Sequence, residues 1–302
     1  MRLCKKVPLF IGILVLILIL MNHWMDRTAY LHFSLQYDEM FRPKVNANMV
    51  ILGASQATHG INPKYLESDR IRVFNFALNG ANPVFYLNWY RKIFRRYYRK
   101  PSYVIYGVHW GMFDETILTR TLEQDSKYFP LHFFLQESRD LKGIETLILT
   151  RFPFMTERRQ LPERLFKRKQ REVFLRAKYY KGFIPFETKR DMTDVVHPKY
   201  NSVQIKAFEE LLDEFGRDRL NVIFVHVPGY SPGYRSSDIT EGLRLIRQMA
   251  ERRNIPFLDY ETKRKSVINM NSDYFSDCFH LNEKGSDAFS TVLGKDIGPF
   301  LR

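Results

Sequence analysis

Cysteine is scarce in this chain. Only Cys4 and Cys278 occur in 302 residues, which excludes a disulfide framework and a cysteine-rich zinc site. Cys4 precedes a long apolar run and Cys278 lies near the chain end, so a bridge between them would have to cross a bilayer and none is expected. No internal repeat and no low-complexity tract is present, which removes solenoid architectures. His226 and the pair His197-Pro198 lack a His-x-x-x-His partner or a carboxylate pair at ligand spacing. No metal site is therefore expected, and no cofactor.

The residues that are abundant describe a globular protein with a basic surface. Hydrophobic residues make up 45% and charged residues 26%, and 302 residues suffice for one large domain with an appendage. Aromatics reach 15%, which favours a packed core over disorder. The formal charge is +14. Part of it lies in two clusters, one from Arg91 to Lys100 and one from Arg158 to Lys181. Such runs read as solvated faces, as nucleic-acid surfaces or as docking surfaces for an anionic membrane or polymer.

The N-terminus decides between these. Val7 to Met21 carries no charge, and Asn22 to Met25 extends it into the interface. The resulting stretch of about 17–19 residues is at the short end for a transmembrane helix. Arg2, Lys5 and Lys6 precede it, which leaves the N-terminus in the cytoplasm. A cleaved signal peptide is the rival reading, but no small-x-small site follows the run. Under both readings the chain beyond residue 26 is exported, so nucleic acid is not an expected partner. The expected location is the cell membrane, single-pass, with the remaining chain periplasmic or extracellular.

Beyond the anchor, apolar runs alternate with amphipathic ones. Strands are expected at Met49–Leu52, Arg72–Leu78, Ser102–Val108, Leu220–Val227 and Ile255–Tyr260. Helices are expected at Pro83–Tyr98, at Val203–Phe215 with Gly216 ending it, at Asp238–Arg253 and at Asn282–Leu293. This alternation predicts an α/β fold with a parallel sheet covered on both faces. Residues 1–26 form the anchor, 27–47 a connector (helical from Tyr30 to Phe41) and 48–302 the exported domain. A largely helical insertion at about 112–200 interrupts that domain.

In such sheets the working residues sit at the carboxyl ends of strands. Ser55 follows the first strand, Asn79-Gly80 the second and His109 the third. A serine in that position is either a helix cap or a nucleophile. His280 stands three residues after Asp277. A loop with that spacing brings both side chains to one side, where the carboxylate orients the imidazole and the imidazole takes the serine proton. The bland reading is a loop aspartate and a surface histidine. Asn79 and Asn82 flank Gly80, where they contact substrate or shape the turn.

The chain resembles the SGNH/GDSL hydrolase superfamily, whose motifs occur in this order. Gly53-Ala54-Ser55 is similar to the first block, with Ala54 where Asp is common. Asn75-Phe76-Ala77-Leu78-Asn79-Gly80 is similar to the second, and Gly107-Val108-His109-Trp110 lies where Gly-x-Asn-Asp is expected. Asp277-Cys278-Phe279-His280-Leu281-Asn282 is similar to the last, Asp-x-x-His-Pro-Asn, with Leu281 for Pro. The resemblance spans residues 48–110 and 220–294. It implies a three-layer, flavodoxin-like parallel sheet, a Ser55–His280–Asp277 triad, and an oxyanion hole of Ser55 N–H, Gly80 N–H and His109. His109 stands for the family's asparagine. The single anchor and the His109-Trp110 pair resemble a narrower group, membrane-anchored SGNH-like proteins of cell-envelope acylation.

Two functions follow as expectations. One is an exported acyltransferase or esterase acting on an acyl group of an envelope polysaccharide through an acyl-serine, with water exclusion by the insertion deciding between transfer and hydrolysis. The other is a non-catalytic scaffold that docks by its basic faces to an anionic polymer or to a membrane acyltransferase partner.

Overall fold

The computed structural model describes residues 3–27, 36, 39–40, 45–114, 173, 176–186, 198–233, 239–263 and 266–301. Most of the expected connector, most of the insertion, most of the Arg158–Lys181 cluster, His197 and Asp238 lie outside them. The chain divides into two units. The first comprises Met1–Tyr37 and Leu122–Ala177, the second Asp38–Thr121 and Lys178–Arg302.

In the first unit, helix α1 runs from Leu3 to Arg27. Its described side chains are those of residues 7–21, and the apolar ones from Val7 to Leu20 are exposed. Among the described residues, no helix is long and apolar enough to cross a membrane.

The second unit holds the sheet. Five strands, β1 (Met49–Gly53), β2 (Val73–Asn75), β3 (Tyr103–Val108), β4 (Asn221–His226) and β5 (Phe257–Asp259), are parallel in the order β2-β1-β3-β4-β5. This is the flavodoxin-like order, with its switch point between β1 and β3. β1 and β3 are buried at every position, as strands covered on both faces must be. Alternate residues of each strand face opposite layers. Met49, Ile51, Ile105, Ile223 and Val225 join one core with Ala57, Phe289, Leu293 and Ile297. These come from α2 (Ser55–Gly60) and, below, α7 (Glu283–Ile297). On the other face, Tyr106 packs on Tyr86 and Phe208, and Phe208 stacks on Phe224. Tyr86 belongs to α3 (Pro83–Trp89) and Phe208 to α4 (Ser202–Arg217). α5 (Ile239–Arg252) and the short α6 (Val267–Met270) complete the described helices of this unit.

Three expectations need correction. The second strand is only Val73–Asn75, because Asn75 turns its side chain into the end of α2, donating to the carbonyls of Ala57 and Ile61 at 3.0 Å each. The Pro83–Tyr98 helix is not continuous: a π-helical turn, Tyr90–Phe94, separates α3 from a last turn at Arg95–Tyr97. Gly216 does not end its helix. α4 continues to Arg217, and the reversal falls on Arg219 at φ 53°.

The aromatic, basic stretch after Pro83 is now explained. Its Phe85, Tyr86, Trp89, Tyr90 and Phe94 are buried. Two of its arginines are taken up by α4. Arg91 reaches Glu210 at 3.1 Å and Glu214 at 2.8 Å, and Arg95 reaches Glu214 and Asp218 at 2.8 Å each. Lys178 and Lys181 of the second cluster pair with Glu283 and Glu67.

Candidate active site

The loop after β1 is built to expose Ser55. Gly53 has φ +137°, and a Cβ there would lie 2.6 Å from the Gly107 carbonyl oxygen. Gly107 faces it on β3, where a Cβ would lie 2.4 Å from Ala57 Cβ. Both positions need glycine for α2 to start this close to the sheet. Ala54, not Ser55, is the N-cap of α2 and provides no side-chain hydrogen bond. The hydroxyl of Ser55 is therefore not used as a cap. Tyr86 braces the turn from the other face: its OH lies 2.7 Å from the Gly53 carbonyl and 3.0 Å from that of Phe76, and it accepts from Leu78 N–H at 3.2 Å.

Residues 225 positions apart meet above this turn. His280 Nε2 lies 2.7 Å from Ser55 Oγ. His280 Nδ1 lies 2.8 and 2.9 Å from the two oxygens of Asp277. The loop is held in place by its own backbone. Asp277 Oδ1 accepts from the amides of Phe279 (2.9 Å) and His280 (2.8 Å), and Ser276 N–H donates to the His280 carbonyl (2.9 Å). Asn282 caps α7 by accepting from Gly285 N–H at 2.9 Å and donates back to the Asp273 carbonyl at 2.8 Å. Burial raises the Asp277 carboxyl, but the hydrogen bond and charge of His280 and the two amides outweigh it and hold the group below its ordinary value. An ionised Asp277 fixes the Nδ1–H tautomer of His280 and leaves Nε2 free to accept a proton from Ser55.

The remaining expected site residues divide. His109 follows Val108, whose register partner is His226, and Gly107 pairs with Gly53. His109 thus stands at the carboxyl end of the sheet between Ser55 and His226. Its Nε2 is buried and without a hydrogen bond. Burial, followed by the charges of His226 and His280, lowers its pKa to about 3, so it is neutral at physiological pH. Gly80 turns with φ +72°. Asn79 Oδ1 is buried without a hydrogen bond. Asn82 is the N-cap of α3, its Oδ1 accepting from Phe85 N–H at 2.9 Å. Among the described residues, no group of three or more His, Cys, Asp or Glu could hold a metal.

Further residues near the site were given no role there by the sequence reading. His59 lies on α2 one turn beyond Ser55, on the same helix face. Its Nδ1 is 2.7 Å from the Ile184 carbonyl, and its ring lies 6.1 Å from that of His280, edge-on. Burial and the nearby His280 lower its pKa to about 4. Phe186 stacks on His280 with centroids 4.7 Å apart, and its carbonyl accepts from Ser276 Oγ at 2.6 Å. A second buried pair stands two strands from Ser55: His226 Nδ1 lies 3.2 Å from Asp259 Oδ1, and Arg247 reaches the other carboxylate oxygen at 2.7 Å. The spacing of four between Ser55 and His59 was visible in the sequence. The Phe186 and Asp259 contacts had no local signal.

No family model matches the chain, and no curated protein matches it. Solved structures similar to it include a GDSL-like lipase from Bacteroides thetaiotaomicron, 11% identical, covering 91% of this chain and 99% of that one with a TM-score of 0.44. Another is the lipase/acylhydrolase from Enterococcus faecalis, 11% identical, covering 84% and 97% with a TM-score of 0.42. A third is a catalytic mutant of an acetylxylan esterase from Geobacillus stearothermophilus, 13% identical, covering 84% and 94% with a TM-score of 0.44. At this level of similarity the chemistry must be argued from the residues of this chain.

Proposed function

We propose that this protein is an SGNH-type serine acyltransferase or esterase that forms an acyl-Ser55 intermediate. The observation that carries the reading is the continuous hydrogen-bonded path Ser55 Oγ–His280 Nε2, His280 Nδ1–Asp277. Ser55 Oγ attacks the carbonyl carbon of an ester while its proton passes to His280 Nε2. The tetrahedral oxyanion is held by the backbone N–H groups of Ser55 and Gly80, a contribution of roughly 3 kcal/mol per donor in comparable sites. The alcohol leaves with the proton from His280. In the second half a hydroxyl or water gives its proton to His280 and attacks the acyl carbon, and Ser55 Oγ leaves as it takes that proton back from His280.

His109 takes the third position around the oxyanion. As a neutral imidazole it donates from one nitrogen only, which makes it a different donor from the amide of an asparagine. The natural substrate we assign is an acyl group on an envelope polysaccharide, with a membrane acyltransferase as the partner that supplies or receives it. This rests on the anchor reading. The support for it is in the sequence: the run Val7–Met21 is uncharged, and Arg2, Lys5 and Lys6 precede it. The scaffold alternative loses support where Arg91 and Arg95 are already ion-paired with α4.

The test is turnover of 4-nitrophenyl acetate by the purified full chain. Ser55→Ala and His280→Ala are each expected to lower kcat by about 10⁴-fold or more. Full activity in either variant would contradict the reading.

A further inference from the structure

An aromatic ring lies flat against the imidazole of His280. Phe186 stacks on it with centroids 4.7 Å apart and ring planes 22° from parallel. The segment that carries Phe186 is tied to three elements of the site. The Lys181 carbonyl accepts from Asn75 N–H at 2.9 Å, at the end of β2. The Ile184 carbonyl lies 2.7 Å from His59 Nδ1 on α2. The Phe186 carbonyl accepts from Ser276 Oγ at 2.6 Å, and Ser276 N–H donates to the His280 carbonyl at 2.9 Å. Ser276 thus fastens the backbone of Phe186 to the loop that carries His280.

The ring under Phe186 changes charge in each half of the proposed reaction. It is neutral while Nε2 faces Ser55 Oγ and becomes an imidazolium once it has taken the proton. The His280 side chain is 16% exposed, so little water is left to solvate that cation. The face of a benzene ring carries negative potential and attracts a cation within about 6 Å of its centroid, more strongly where water is excluded. The titratable groups around His280 do not duplicate this. Asp277 is ionised and acts at the ring edge through Nδ1. His59, edge-on at 6.1 Å, and His109 titrate at about 4 and about 3 and stay neutral at physiological pH.

We propose that Phe186 is a positioning residue of the triad: its π face holds the His280 ring between Asp277 and Ser55 and stabilises the imidazolium that forms as Ser55 Oγ gives up its proton. This rests on the acyl-Ser55 reading and deepens it. Packing alone would be served by any apolar side chain of similar size.

Three full-length variants test the proposal: Phe186→Leu, Phe186→Tyr and a chain carrying pentafluorophenylalanine at position 186. The fluorinated ring keeps the shape of the stack but withdraws the negative potential from its face. Turnover of 4-nitrophenyl acetate is expected to fall by about tenfold in the leucine and fluorinated chains, the fold-change that corresponds to a desolvated cation–π contact. Both halves of the reaction pass through the imidazolium, so the loss does not depend on which half is slower. The acidic limb of the kcat/KM profile should move to lower pH in the same two chains, because a less favoured cation leaves the free base populated further into acid. Phe186→Tyr, which keeps the ring face, should retain most of the wild-type rate and profile. A fluorinated chain with the wild-type rate and profile overturns the proposal, even where Phe186→Leu is slow, and leaves Phe186 a packing role. A rise in KM at unchanged kcat also overturns it. Ser55→Ala separates the two levels. If that variant still turns over the ester, the acyl-serine reading fails. If it is inactive while the fluorinated chain matches the wild type, only the role of Phe186 fails.

Discussion

The two ends of this sheet are built on opposite principles. At the amino end a cleft of about 860 Å³ opens between the starts of β3, β4 and β5, bordered by Tyr103, Leu212, Asn221, Asn254 and Phe300. Its charged lining is satisfied, as in the pair Arg253–Asp213 at 2.9 Å. At the carboxyl end, polar atoms are left over. His59, Asn79, His109, Trp110 and His226 each bury an unpartnered nitrogen or oxygen there. Unsatisfied hydrogen-bonding capacity, which costs about 1–3 kcal/mol per buried group, directs attention to the second end. A fold tolerates that cost where a ligand supplies the missing partner.

The comparison can be broken from either end. The largest effect is expected at Asp277. Asp277→Asn keeps the size of the side chain but removes the charge that fixes the His280 tautomer, and kcat for 4-nitrophenyl acetate should fall by about 10⁴-fold. A loss of less than tenfold would mean that His280 is oriented by its loop alone. The second effect concerns acid stability. Burial lowers the His59 pKa from 6.5 to about 4, so the unfolded chain binds the proton first as pH falls. The contribution of His59 is complete above pH 6.5 and is lost as pH drops toward 4, on the order of 3 kcal/mol. His109, lowered to about 3, acts in the same direction. Urea midpoints measured from pH 7 to 4 should fall steeply, and His59→Gln should flatten the slope; an unchanged slope would remove His59 from the account. The smallest effect is expected at the amino end. Asp213→Ala breaks a partly exposed pair, so stability should change by less than about 1 kcal/mol and turnover should not change. A large loss of turnover there would erase the contrast between the two ends.

Much of this was legible in the sequence, because the signals were local. The apolar runs around Ile51, Ile105 and Ile223 are long enough to declare buried strands. Ser55, Asp277 and His280 stand out by residue type and spacing, and the three side chains lie within hydrogen-bonding distance. The misreadings came from non-local contacts overriding local ones. The second strand was expected to run to Leu78, but it ends at Asn75, whose side chain ties α2 to β2. Gly216 looked like a helix end, yet Arg219 takes the left-handed turn. The partners of Phe186 and Ile184 are 94 and 125 residues away in sequence, a distance no periodicity bridges. Arg91 and Arg95 were open to reading as a solvated or a docking face because the acidic residues on and just after α4 that neutralise them lie more than 110 residues downstream.

The central claim is that Ser55 carries the acyl group. Rapid acid quench of the full chain during turnover of 4-nitrophenyl acetate, followed by proteolysis and mass spectrometry of the Ser55 peptide, tests it most directly. An acetyl mass on Ser55 in the wild type, enriched when deacylation is slowed and absent in Ser55→Ala, is the predicted result. Undiminished turnover with the acetyl group on another residue would contradict it.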